Sequence, residues 1–193
     1  MNKSAIKGFS VRARRKLIED ISQKAYALGI KDTGRSDEIE EFEGGFRIKD
    51  AVNQLVYPMS AKKDREKLIS EINKKGFGQV IEEVAYTWFN RIIAIRFMEV
   101  NEYLPVKVRI LSSETPGKIE PDVLTNIYDY LDELKLDRDK VFELKENHKD
   151  EELFKYVFVR ECNNLGKLMP QVFEAIGDLL NCYFLINYLL VGQ

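Results

Sequence analysis

Arg91 and Arg96 stand inside residues 79–100, the longest and most apolar helical pattern outside the C-terminal stretch. An unpaired charge in such a setting is costly, so both need partners. Arg96 lies three residues before Glu99, a spacing that puts the two on one helical face. Two chemistries are open. Arg91, Arg96 and Glu99 could form a buried ion-pair network that fixes helix register, or the arginines could offer a cationic contact to a phosphate or a partner. A second set of cations, Lys3, Lys7, Arg12, Arg15 and Lys16, lies near the N-terminus. Residues 1–31 hold eight Lys/Arg against two Asp/Glu, and the remainder holds 22 against 30. A basic arm on an acidic body can be an electrostatic footprint for phosphate. It can equally be a solvated face, or a strip that docks on the acidic body.

The other side chains able to do chemistry are poorly grouped. His148 is the one histidine, in a charged stretch with no second His or Cys nearby, so neither a metal set nor a triad is implied. Cys162 and Cys182 are two separate thiols, which fit a reducing compartment. Gly76-Phe77-Gly78 is too short to cradle a phosphate and reads as a helix break. Glu82-Glu83 and Glu151-Glu152 are adjacent pairs. Neighbours on a helix project about 100° apart, so neither pair can cooperate as an acid–base dyad. These residues fit helix N-termini instead. Catalytic, cofactor-binding and metal-binding residues are therefore all expected to be absent from this chain.

The elements that must position these residues are mainly helical. Residues 10–28 place Leu17, Ile18, Ile21, Ala25 and Leu28 on one arc, with Arg12, Arg15 and Lys16 opposite. Arg14 falls within the apolar arc, where it must snorkel or pair. Gly29 supplies a stop. Residues 31–59 read as an irregular surface excursion in which 46–48 and 54–57 could pair as a small hairpin. Ser60 is placed to cap a helix running to Lys75, with Leu68, Ile69 and Ile72 inward. Residues 79–100 are apolar nearly all round and so are expected at the centre of the domain, with Trp88, Tyr86 and Phe89 as core. Residues 106–111 are a short strand or an extended connector. Pro121 is expected at a first helical position, opening one helix through Leu124, Ile127, Leu131 and Leu134. Asp137 can cap a helix to about Glu146. A further helix, 151–163, turns Leu153, Phe154, Val157 and Phe158 inward, before Gly166 and Pro170 interrupt the chain. The expected class is mainly α: an irregular multi-helix bundle with at most one small β-hairpin, one domain over 1–193.

With 193 residues, 45% apolar and 32% charged, the chain is large enough for a real core without disulfide staples. The N-terminus lacks the apolar run and small-residue cleavage site of a signal peptide. The most apolar stretch, 179–191, contains two asparagines and is shorter than the roughly 20 residues that span a bilayer. It reads as a buried helix, and the expectation is a cytoplasmic protein with no membrane association.

Residues 79–105 carry a family signature. The block Tyr86-Thr87-Trp88-Phe89-Asn90-Arg91, followed by Arg96-Phe97-Met98-Glu99 and Tyr103-Leu104-Pro105, resembles the N-terminal region of the large adenine-specific DNA methyltransferases of BREX and phage-growth-limitation defence systems. Residues 1–30 look like the start of the same family. Arg109-Ile110-Leu111-Ser112-Ser113-Glu114, Glu120-Pro121-Asp122, Cys162-Asn163 and Leu168-Met169-Pro170 look like its later landmarks, while 31–75 and 130–155 match poorly. The resemblance implies a parent enzyme that transfers a methyl group from S-adenosylmethionine to adenine in DNA. Such enzymes carry a Gly-rich cofactor motif and an Asn/Asp-Pro-Pro-Tyr/Phe motif for the flipped base. Neither occurs here. The expectation is thus a helical accessory domain without cofactor or chemistry of its own. Its implied partners are DNA, bound weakly and without sequence preference, the other domains of the methyltransferase, and other defence-system proteins. The alternative is a non-catalytic protein–protein interaction module.

Overall fold

The computed structural model describes residues 3–49, 51 and 55–173. They fall into two compact units, 3–89 and 90–173. The stretch 179–191, expected as a buried helix, lies outside the described residues, as does Gln54.

The first unit opens with α1 (Lys3–Ala27). Ala13, Leu17, Ile21, Ala25 and Leu28 form its buried stripe, the arc the periodicity predicts. The helix closes in a paired-bond motif: Ile30 N–H donates to Ala25 O and Gly29 N–H to Tyr26 O, both at 2.9 Å. That motif needs a left-handed residue, and Gly29 has φ +70. Space demands glycine too, since a Cβ there would sit 2.8 Å from Ile48 Cγ2.

Three antiparallel strands follow: β1 (Ile39–Phe42), β2 (Gly45–Ile48) and β3 (Val56–Tyr57), in that order across the sheet. The β2–β3 pair is the expected hairpin. The added strand is β1, whose residues alternate no apolar side chains inward. It is held by its backbone ladder and by exposed pairs, Arg47–Glu40 at 2.7 Å and Lys49–Glu38 at 2.9 Å. Phe46 and Tyr57 stack at 5.4 Å, and Tyr57 Oη donates to Ala27 O, tying the sheet to the end of α1.

Helix α2 (Met59–Lys75) begins two residues earlier than a Ser60 cap would place it. Pro58 holds the N-cap position, with no side-chain hydrogen bond, and Ala61 N–H donates to Pro58 O. Proline's fixed φ starts the helix without a capping hydroxyl. Ala61, Arg65, Leu68 and Ile72 are its buried stripe. Gly76, at φ +90, breaks the chain before α3 (Phe77–Val100); Gly78 lies inside the first turn of α3 and breaks nothing. The first half of α3 buries Val80, Ile81, Val84, Ala85 and Trp88.

The second half of α3 opens the second unit and buries Arg91, Ile92, Ile95 and Glu99. Tyr86, Ile93, Phe97 and Val100 are exposed. The expected helix buried all round is therefore one-sided among the described residues, and Tyr86 is not core. Beyond α3, the 106–111 segment takes the connector form, with Val106 and Ile110 buried. The single helix expected after Pro121 is broken into α4 (Asp122–Thr125), a 3₁₀ turn (Ile127–Tyr130) and α5 (Leu131–Leu134). Pro121 sits at the N-cap, outside the helix. The four expected positions, Leu124, Ile127, Leu131 and Leu134, are all buried, so the apolar spacing survives the break. Asp137 caps α6 (Arg138–Glu146) by accepting Lys140 N–H at 2.8 Å. Helix α7 (Asp150–Leu168) runs through Gly166 instead of stopping there. A Cβ at Gly166 would meet Phe173 O at 2.5 Å, so this glycine admits the returning backbone rather than ending the helix.

Candidate functional site

The N-terminal cations are carried by α1. Lys7, Arg12, Arg15 and Lys16 are exposed, and Arg12, Arg15 and Lys16 face away from the buried stripe. These last three fall within about 6 Å of helix length, since each residue rises about 1.5 Å. Lys16 pairs with Asp20. Among the described residues Lys7, Arg12 and Arg15 have no ion-pair partner. Arg14 leaves the apolar arc by pairing with Glu82 at 3.1 Å, both side chains more than half exposed. The Lys3 side chain lies outside the described residues. The face therefore offers a short row of cations on a helix whose other side is anchored in the core.

The arginines of α3 separate. Arg96 Nη1 pairs with Glu99 Oε1 and also donates to Ser112 Oγ. Glu99, with its side chain wholly out of solvent, receives Ile110 N–H at 3.0 Å, Leu111 N–H at 2.8 Å and the Ser112 hydroxyl at 2.9 Å. A buried carboxylate with this many donors is compensated. It clips the connector onto the last turn of α3. Arg91 is buried elsewhere, beside Cys162. Burial pushes the Cys162 thiol up, with Arg91 opposing and Glu161 adding to the rise, so this thiol is no nucleophile.

Asp122 repeats the device one loop later. Ser113 Oγ donates to its Oδ1 at 2.6 Å and Glu114 N–H to its Oδ2 at 2.8 Å. Partial burial works against ionisation of Asp122. The bonds from Ser113 and Glu114, together with Lys118, outweigh it and hold the carboxyl below its ordinary range. Arg109 Nε stands 3.3 Å from Glu114 Oε1. A cleft of about 180 Å³ runs beside this loop, lined by Glu99, Lys107, Arg109 and Glu114 among others. Its charges of both signs largely cancel, so it selects neither an anion nor a cation.

Three buried charges, Asp64, Arg65 and Glu161, escape the sequence reading. Arg65 donates to Leu28 O at 2.7 Å and to Asp37 O at 2.6 Å, closing carbonyls beyond α1. Its signal is the spacing Ala61, Arg65, Leu68, Ile72, a helical stripe with a cation in it. Glu161 is 2% exposed and burial pushes its carboxyl up to about 7, while its Oε1 has no hydrogen-bond partner among the described residues. The apolar residues around it in α7 give its burial away, since 157, 158, 161, 162 and 165 share one face. His148 is exposed, at φ +52 in the turn after α6. Among the described residues no group of three or more His, Cys, Asp or Glu could hold a metal ion. No helix among them is long and apolar enough to cross a membrane.

No family model matches the chain. Two curated relatives do. The adenine-specific methyltransferase PglX of Lacticaseibacillus casei (strain Zhang) is 35% identical over 97% of this chain and 17% of its own length. The adenine-specific methyltransferase BrxX of Escherichia coli O9:H4 (strain HS) is 34% identical over 92% of this chain and 15% of its own length. The chain thus spans about one-sixth of the relatives it matches. Along nearly all of its length, the chain is similar to the N-terminal region of the PglX and BrxX adenine-specific methyltransferases, the relationship its 79–105 block suggests.

Proposed function

We propose that this chain is a helical N-terminal accessory domain of an adenine-specific DNA methyltransferase of a phage-defence system, supporting DNA engagement or complex assembly. The observation that carries the reading is the match itself: 97% of the chain aligns with 17% of PglX. The chemistry then resides in the rest of such an enzyme. S-adenosylmethionine is the methyl donor the family implies. The described residues do not fit it. A cofactor of that kind is held at the strand ends of a large parallel sheet by a Gly-rich turn. Here the sheet is three short antiparallel strands, and Glu43-Gly44 closes a hairpin. No step of methyl transfer is assigned to these residues.

The DNA contact we assign to α1 rests on Lys7, Arg12, Arg15 and Lys16, with Lys3 preceding them. Phosphate contact by a few cations gives binding without sequence readout. Its dissociation constant is roughly 10⁻⁴–10⁻⁶ M, with a log–log salt slope of about −0.9 per phosphate neutralised. The acidic remainder pushes affinity to the weak end. The experiment is duplex binding at low salt by the native chain and by an Arg12→Glu, Arg15→Glu, Lys16→Glu variant, both shown to be folded by circular dichroism. Binding lost in the variant supports the face. Equal binding by the two removes it. Binding by neither favours the protein-interaction reading, to which the exposed apolar face of α3 gives independent support.

A further inference from the structure

In the second unit the turn from α5 to α6 lies across one face of α7. Asn164 Nδ2 donates to Leu134 O at 3.3 Å, and Asp137 N–H donates to Tyr156 Oη at 2.9 Å. Tyr156, Arg160, Asn164 and Lys167 recur at the spacing of one helical face. These contacts gather four exposed cations, Lys135, Lys140, Arg160 and Lys167. Lys140 Nζ lies 4.5 Å and Arg160 Cζ 5.2 Å from the centre of the Tyr156 ring. Lys135 and Lys167 stand within hydrogen-bonding reach of each other, and the Lys135 charge holds the Lys167 ammonium below its ordinary range. Among the described residues none of the four has a carboxylate partner. Asp137 lies between Lys135 and Lys140 in sequence, but its carboxylate accepts the Lys140 N–H. Residues 32–193 hold 30 acids against 22 cations, so this cluster is not a by-product of surplus positive charge.

We infer that Lys135 and Lys167, with Arg160 and Lys140 beside them, form a phosphate-binding site on the second unit, in addition to the α1 face. Two ammonium groups this close repel each other unless an anion lies between them. A phosphate group fits that gap better than a carboxylate. It brings three acceptor oxygens and up to two negative charges to one centre, against two oxygens and one charge. Lysine binds phosphate as a point charge and arginine as a bidentate fork, and the cluster has both. The Tyr156 ring fixes Lys140 and Arg160 without neutralising them. From Arg160 to Lys167 the row spans about 10 Å of helix. One strand of a duplex carries a charge about every 3.4 Å of its axis, so a nucleic-acid backbone meets such a row at more than one phosphate. A free phosphate ion would occupy the lysine pair alone. The site does not depend on the DNA contact assigned to α1.

The test follows the backbone amides of residues 135, 140, 164 and 167 by NMR as inorganic phosphate is added at neutral pH, with ionic strength held constant by chloride. The native chain is compared with Lys135→Gln/Lys167→Gln. The control, Lys145→Gln/Lys149→Gln, removes the same charge from cations that already pair with Asp150 and Glu152. None of these four lysines is buried, and circular dichroism checks that each variant folds. The expected result is a saturating shift in the native chain and the control, with the dissociation constant raised at least about tenfold in Lys135→Gln/Lys167→Gln. Duplex DNA at low salt, read by fluorescence anisotropy, then names the source. A log–log salt slope shallower by about 1.8 in Lys135→Gln/Lys167→Gln alone marks a nucleic-acid backbone, because two fewer phosphates are neutralised. Phosphate bound without any change in duplex binding marks a free phosphate ion. The Arg12→Glu, Arg15→Glu, Lys16→Glu variant should keep the phosphate shifts, which separates failure of the α1 contact from failure of this site. Absence of a saturating shift in the native chain overturns the proposal. So does equal weakening in the control, which would make the effect one of net charge. So does a response to polyglutamate and none to phosphate, which would make the partner an acidic protein.

Discussion

In residues 3–89 a buried cation, Arg65, stands on two backbone carbonyls at 2.7 and 2.6 Å. In residues 90–173 two buried carboxylates differ in how they are compensated. Glu99 gathers two backbone N–H groups, a hydroxyl and a guanidinium. Glu161 keeps an oxygen with no partner among the described residues. The lesson is that burial alone says nothing about cost. A charge aimed at groups that need a partner organises the backbone around it, whereas a charge without donors stays out of water by keeping its proton.

The largest effect that could break this contrast is on pH dependence. The carboxyl of Glu161 is raised from an ordinary 4.5 to about 7 in the folded chain. The folded state therefore holds a proton that the unfolded state has released. Its contribution is fully present below about pH 4.5 and is lost as pH rises through about 7. About 2.5 kcal/mol of stability should disappear between pH 5 and 8, because each tenfold gain in proton affinity on folding is worth about 1.4 kcal/mol. Urea denaturation across that range should show the loss in the native chain, and Glu161→Gln should flatten it. A native profile already flat would mean that Glu161 has donors after all.

Glu99 tests the other half of the contrast through its hydrogen bonds. Glu99→Ala leaves the Ile110 and Leu111 amides without their acceptor, and the loss should be about 3 kcal/mol, read as a lower urea midpoint at unchanged slope. Glu99→Gln keeps one acceptor oxygen and should lose less. If both variants cost under about 0.5 kcal/mol, in the range of ordinary surface changes, the clip is ornamental and the contrast with Glu161 fails.

The units also close their helices differently, which sharpens the comparison at smaller scale. In the first unit the left-handed closing residue of α1 is Gly29. In the second the same paired bonds close α3, α5 and α6 on Glu102, Lys135 and His148, with φ +58, +56 and +52. Gly29→Ala should cost about 1–2 kcal/mol from the left-handed backbone, and more from the Cβ contact with Ile48. His148→Gly should go the other way, raising stability by about 0.5–1 kcal/mol, because relief of backbone strain exceeds glycine's entropy cost. Thermal denaturation of the two variants checks the opposite signs.

Much of this was legible in the residues. Helical periodicity placed Leu17, Ile21 and Ala25 in one core and Leu124, Ile127, Leu131 and Leu134 in another, because a buried stripe must recur every 3.6 residues whatever the backbone does between. Asp137 announced its helix since a capping carboxylate acts on amides only three residues away. The 79–105 block announced the similarity to the N-terminal region of adenine-specific methyltransferases. Strand β1 was illegible because ladder bonds and exposed ion pairs, not apolar alternation, hold it. The break at residue 126 was illegible because a 3₁₀ turn preserves the i, i+3 spacing that a continuous helix shows. Gly166 misled because a glycine admitting a close backbone has the same letter as one ending a helix.

The sequence by itself determined the helical class, the positions of the main stripes, the similarity to part of the adenine-specific methyltransferases and the row of cations on α1. Each follows from spacing along one element or from the letters themselves. Only the tertiary structure decided that Arg96 and Glu99 clip residues 110–112 while the buried Arg91 acts electrostatically on Cys162. It alone set Arg65 on the carbonyls of Leu28 and Asp37, and left Ile93 and Phe97 exposed instead of in a core. Those outcomes depend on which distant backbone groups lack a partner once the chain has folded. Local spacing carries no record of that, because hydrogen-bond satisfaction is counted over the whole packed interior and not along the helix.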